Sequence, residues 1–299
     1  MIAWLLIGSG VAVVLAYGAT ALYVADLFTR SKRHRVEGTP ELFGLRFDDI
    51  QLRAPDGLIL RGWFLESPGA RATVVLVHDG DGTRADPTQG LLRLQSDYVR
   101  HGFNVFAFDL RGRGESAGVR DRLGSAEQRD VAVAIAYARR RASELPIVLH
   151  GFGLGGSLAI STVAAGAPAD VVIADSPFSS AREHLRFRWH RVPGHVFRSA
   201  CWLARRVYGA DVDALRPQDA ISDLVPTPVL LVHGEADEVV PVADTLNIAA
   251  ATLHDRLDLW VVPGAGHCRA YIDDPDRYLG RCLTFIDRAI PRRALATAG

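Results

Sequence analysis

Little in this sequence carries an unbalanced charge. Its 299 residues hold 34 basic against 34 acidic side chains, which leaves no net field to draw in nucleic acid, and Lys32 is the only lysine. The arginine bias is read as composition and not as a site. Cysteine is scarce as well: Cys201, Cys268 and Cys282 make an odd number without a C-x-x-C pair. That excludes a disulfide framework and a zinc knuckle, and predicts three reduced, mostly buried thiols. No metal set, internal repeat or low-complexity tract is expected.

Residues 2 to 25 lack charge altogether. At about 1.5 Å per residue, a helix of that stretch crosses a bilayer core of about 30 Å. A cleaved signal has a basic start and a shorter apolar run, whereas here Arg30, Lys32, Arg33 and Arg35 all follow the segment. The positive-inside rule then puts the start outside and the rest in the cytoplasm. The expected organisation is a single-pass membrane anchor at 1–28, a basic linker at 29–43, a folded domain at 44–290 and a tail at 291–299.

What the chain does have is apolar substance, 48% of its residues, arranged in short runs. "LRFDDIQLRA" and "LILRGWFLES" flank the turn "PDG" and read as an antiparallel hairpin. Six runs follow, at 72–78, 103–109, 146–150, 170–175, 227–233 and 257–263, rich in Val, Ile and Leu without alternation. Strands buried on both faces look like this, with helices between them as the covers. Ser125 and Gln128 read as a capping box opening one such helix. About eight strands in a mostly parallel α/β sheet are expected, with residues 176–226 as an inserted lid because that interval is overlong.

Chemistry in such sheets gathers in the loops beyond the carboxyl ends of the strands. Those loops read, in order, "HDGDGTRAD", "DLRGRGES", "GFGLGG", "HGEADEVVP" and "GAGH". The series resembles the α/β-hydrolases, in particular the serine-aminopeptidase-like and BEM46-like group, over about residues 44 to 290. The resemblance implies the chain order nucleophile, acid, histidine. It makes Asp237 the acid and His267 the base, Asp237 holding the Nδ1 proton so that Nε2 faces the strand-to-helix elbow. It also puts Gly153 where the nucleophilic serine belongs, and glycine has no atom with which to attack. Backbone N–H groups of Gly80 and Leu154 are the implied oxyanion donors, with Asp79 where the loop's glycine is expected. Ser157, Ser176 and Cys268 are read as structural.

Two further readings stand beside that one. Gly151, Gly153 and Gly156 spell G-x-G-x-x-G, with Asp175 nineteen residues on, which is the spacing of a dinucleotide site. The lid carries Arg182, Arg186, Arg188, Arg191, Arg198, Arg205 and Arg206 against Glu183, a basic patch that could rest on anionic headgroups, while Val196, Phe197, Ala200, Leu203, Ala204 and Val207 cover the pocket. The preferred reading is a membrane-anchored binding or regulatory protein that holds a small-molecule or acyl ligand beneath the lid, with no nucleic acid and no cofactor. The alternative is a hydrolase, esterase- or peptidase-like, or a lyase, in which Asp237 and His267 activate a water or a substrate proton.

Overall fold

The valine-rich runs pair as strands because each alternates its side chains between two apolar layers. Val74 and Leu76 face Leu94, Tyr98 and Phe285, while Val75 and Val77 face Ile135, Leu158 and Ile160 on the other side of the sheet. The computed structural model describes residues 2–253 and 255–290. The tail assigned to 291–299 lies outside the described residues.

Eight strands form one sheet in the order β1-β2-β4-β3-β5-β6-β7-β8. The hairpin is β1 (Asp48–Arg53) against β2 (Ile59–Leu65), and β2 pairs antiparallel with β4 (Phe103–Phe108). From there every pairing is parallel, through β3 (Ala72–Val77), β5 (Ile147–Phe152), β6 (Val171–Asp175), β7 (Val229–Gly234) and β8 (Leu257–Val262). Helices α2 (Leu91–Arg100) and α10 (Pro275–Ala289) pack on one face; α3 (Glu127–Arg141) and α4 (Leu154–Ala164) cover the other. The chain leaves β3 for β4 on one side and returns to β5 on the other. The loops after β3 and β5 therefore diverge above adjacent strands, with Val77 opposite Gly151. A crevice opens at such a switch point.

Helix α1 (Ile2–Thr29) is the long apolar segment, and most of it stands clear of the sheet, with Trp4, Val13 and Leu15 exposed. Its last turns do not. Ala21, Val24, Ala25 and Phe28 are buried, and Phe28 meets the rings of Trp189 and Phe197 at 5.2 and 5.5 Å. The interval 176–226 holds α5 (Ala181–Arg188), α6 (Gly194–Tyr208) and the short α7 (Pro217–Ala220). Val196, Phe197, Ala200 and Ala204 of α6 form one buried face, as expected, but that face packs on α1 and does not cover the cavity. Val207 is exposed. Nor is the arginine patch unopposed: Arg182 pairs with Asp213, Arg205 with Asp211 and Arg188 with Asp81, acids that lie outside the stretch from 182 to 206.

The capping box is absent. Helix α3 starts at Glu127, whose carboxylate accepts from the N–H groups of Arg122 and Gly124, while Ser125 bonds the Arg122 carbonyl and Gln128 reaches Ala214.

A buried polar chain runs under the crevice. Tyr98 donates to His150 Nδ1 and Tyr278 O–H donates to Asp175 Oδ2, each over 2.9 Å, with His150 Nε2 bonded to the Tyr278 oxygen between them. Burial pushes the Asp175 carboxyl up to about 6, against the hydrogen bonds of Tyr278 and Ser176. A carboxyl raised on folding contributes stability below its unfolded value near 4 that is lost as pH rises through 6. We therefore expect Asp175→Asn to be near-neutral at pH 4 and to gain about 3 kcal/mol on wild type by pH 8. Paired melts of the two proteins at those pH values measure it; parallel pH profiles would reject the assignment.

Candidate functional site

The elbow forms because glycines let strand and helix touch. A Cβ on Gly151 would lie 2.1 Å from the Gly155 carbonyl oxygen, and one on Gly155 would lie 2.3 Å from that of Val77. The chain then turns at Gly153, held at φ +52° and ψ −114°, into α4. Serine there is strained by about 1 to 3 kcal/mol; glycine is not.

Space, however, is closed to any side chain at this position. A Cβ on Gly153 would stand 2.0 Å from Asp79 Oδ1 and 2.4 Å from Asp79 Cγ. The carboxylate of Asp79, from the loop after β3, occupies the volume above the elbow. It is fixed from three directions. Leu154 N–H donates to Oδ1 over 2.8 Å, His267 Nε2 lies 3.3 Å from Oδ2, and the Asp79 carbonyl accepts from His78 Nδ1 and Gly82 N–H. His78 is itself locked, its Nε2 accepting from Leu110 N–H.

His267, on the loop after β8, sits between two carboxylates. Its Nδ1 bonds Asp237 Oδ2 at 2.7 Å, and Asp237, on the loop after β7, also accepts from the N–H groups of Val239 and Val240. Asp237 thus caps its turn and holds the imidazole at once. Burial opposes charge on all three groups, yet each is shifted toward its charged form. His267 is raised well above its ordinary value by Cys268, Asp237 and Asp79; Asp237 falls below the usual range through His233, 3.3 Å away, and the imidazolium, and Asp79 through the imidazolium and its backbone donors. Burial holds the Cys268 thiol itself protonated, pushed up to about 12, so at neutral pH the two carboxylates keep the imidazolium. The result is a closed Asp–His–Asp cluster.

The other hydroxyls and thiols near the elbow have structural work. Ser157 bonds Phe178 through both its carbonyl and its N–H. Ser176 donates to Asp175 and accepts from Cys268 N–H. The Cys268 Sγ lies 3.6 Å from His267 Nε2, but the residue is 2% exposed and does not line the cavity. The dinucleotide alternative is overturned here. Asp175, its ribose acid, is fully buried and bonded to Tyr278 and Ser176, and the first N–H of α4 is spent on Asp79.

Above Asp79 and His267 lies a cavity of about 190 Å³. Two basic residues of its lining were not singled out in the sequence. Arg113 occupies a variable place in the D-x-R-G-x-G-x-S loop and bonds Gly80 and Asp121; its Nη1 is buried with no partner among the described residues. His184 of α5 stacks on Phe178 at 4.9 Å, its Nδ1 likewise unpartnered among the described residues, and burial lowers its pKa. The motif's own Asp109 and Arg111 are structural: Asp109 holds Arg84 and the Glu115 N–H, and Arg111 holds Asp130 and Asp56.

Comparison with known proteins agrees with the fold. A family model described as serine aminopeptidase, S33, matches residues 68–223. The chain is 26% identical to the uncharacterized protein YfhR of Escherichia coli K12 over 81% of each chain. It is also 26% identical to protein bem46 of Schizosaccharomyces pombe, covering 75% of this chain and 71% of that one. In structure it is similar to the Pyrococcus furiosus esterase Pf2001, with a TM-score of 0.70 and 22% identity over 87% of this chain and 99% of that one.

Proposed function

The chain belongs to the serine aminopeptidase family of the α/β-hydrolase fold, and from that premise we propose that it is a membrane-anchored, non-catalytic member that binds a ligand in the cavity above Asp79. One observation carries the reading: the Asp79 carboxylate fills the volume a side chain at Gly153 would need, and spends both Leu154 N–H and His267 Nε2 in doing so. Gly153 stands at the nucleophile position, so attacking atom, oxyanion donor and base are lost together. The water-activating alternative fails on the same geometry, since a base already protonated between two carboxylates takes no proton from water.

Helix α1 is long and apolar enough to cross a bilayer, which supports its role as the anchor. Arg30, Lys32, Arg33 and Arg35 beyond it favour a cytoplasmic domain. The segment 176–226 serves as the lid, through α5, which lines the cavity. Of its arginines, Arg182 and Arg205 already hold carboxylates of their own and add little to membrane contact.

The test exposes the purified full-length protein to a fluorophosphonate probe and to short acyl esters of p-nitrophenol. No adduct is expected, and no turnover above that of His267→Ala. A covalent adduct on Asp79 or Cys268, or ester turnover that His267→Ala abolishes, would overturn the proposal.

A further inference from the structure

The cavity's walls are of two kinds. Leu27 and Phe28 come from the last turn of α1, Leu185 and Trp189 from α5 and the residue after it, and together they make an apolar side. On the charged side most charges are matched, Arg30 by Asp26, Arg113 by Asp121 and the His267 imidazolium by Asp237 and Asp79, but those at the rim are not. At the rim, Lys32 Nζ and Arg188 Nη2 share one carboxylate, Asp81, at 3.1 and 3.4 Å, with all three side chains about half exposed. Two cations on one anion leave a positive charge uncompensated at the rim. Deeper in, Arg113 adds a buried guanidinium whose Nη1 has no partner among the described residues. Field and wall together favour an anion that carries an apolar chain.

From this juxtaposition we infer that the cavity takes a single-chain anionic amphiphile, its carboxylate or phosphate between Lys32 and Arg188 and its alkyl chain against Phe28, Leu185 and Trp189. The inference rests on the binding reading above and names its ligand class. The position of the cavity suits the source. Lys32 follows the end of α1 by three residues, and the turns of α1 from Ala21 to Phe28 pack on the domain, so with the exposed part of α1 in a bilayer the cavity lies near the headgroups, where such amphiphiles are concentrated. Binding exchanges Asp81 for the ligand's anion; no covalent step is involved.

The experiment uses the full chain in phosphatidylcholine nanodiscs and follows tryptophan emission, Trp189 lying in the wall, as decanoate, decyl phosphate, decanol or inorganic phosphate is added. Both amphiphilic anions should bind at least tenfold more tightly than decanol, and inorganic phosphate should not bind in the same range. The double substitution Lys32→Ser with Arg188→Ser is at the surface and leaves the core intact. It should bring the anions down about tenfold to the level of decanol, with decanol unchanged. Equal affinity for decanol and decanoate, indifference to the double substitution, tight binding of phosphate alone, or no binding of any amphiphile would each overturn the inference. Hydrolysis of decanoyl esters, followed separately by mass spectrometry, reports failure of the non-catalytic reading and leaves the binding comparison intact.

Discussion

Asp79→Gly combined with Gly153→Ser should yield a protein that reacts with a fluorophosphonate and turns over acyl esters at least about a hundredfold faster than wild type. Gly153→Ser alone should do neither. The single change drives a Cβ to 2.0 Å from Asp79 Oδ1, and the carboxylate cannot swing aside without breaking its bonds to Leu154 N–H and His267. Strain at φ +52° adds about 1 to 3 kcal/mol. Loss of stability, by several degrees in melting temperature, is its expected signature. Glycine at 79 removes the obstruction and does two more things: it frees the Leu154 N–H to face an oxyanion, and it leaves His267 one carboxylate partner, Asp237, as a general base requires. Asp79→Gly alone separates these effects, since it opens the site and supplies no nucleophile. If the double variant folds and remains unlabelled, Asp79 is not what blocks acyl transfer.

That prediction differs from what the sequence by itself supports, and the difference lies in one rotamer. The strands were legible because runs such as "ATVVLV" and "VLLVHG" have one physical use, burial on both faces of a parallel sheet. The meeting of Asp237 with His267 was legible because "HGEADEVVP" and "GAGH" end such strands. The direction of the Asp79 side chain was not. It is set by Leu154, 75 residues away, and His267, 188 residues away, and no local spacing encodes partners that only the folded sheet brings together. Read from the chain alone, Gly153 and Asp79 are two separate features; in the fold they are one, the carboxylate of Asp79 lying in the space above Gly153. The partner of α6 was hidden for a similar reason. An apolar stripe states that something covers it and leaves open what, and here the cover is α1. The Arg113 guanidinium escaped notice because the motif leaves its position unspecified, so only its burial beside Gly80 marks it.

His267→Ala should destabilise the protein in a way that grows with pH, by about 3 kcal/mol at pH 7.5 and by little at pH 4. In wild type both carboxylates sit below the usual range, so their contribution is present above about pH 4 and lost as pH falls below it. The imidazole is raised, so its contribution is complete below its ordinary value near 6.5 and is lost progressively as pH rises from there toward a folded value far above neutral. The cluster's contribution is therefore level from about pH 5 to 6.5 and declines above that. Without the imidazolium, Asp237 keeps the Val239 and Val240 donors and Asp79 keeps Leu154, but both lose their counter-charge in a buried setting. Their protonated forms gain, and the variant becomes most stable in acid, where wild type is leaving its plateau. The contribution of Asp175 runs with the opposite slope and largely cancels in their difference, since His267 is a minor influence on that carboxyl. Thermal melts of the full-length pair in nanodiscs at pH 4 and 7.5 decide the matter. A deficit of the same size at both values would mean that the histidine contributes packing and no charge, and the ion cluster proposed to have replaced the catalytic site would not exist.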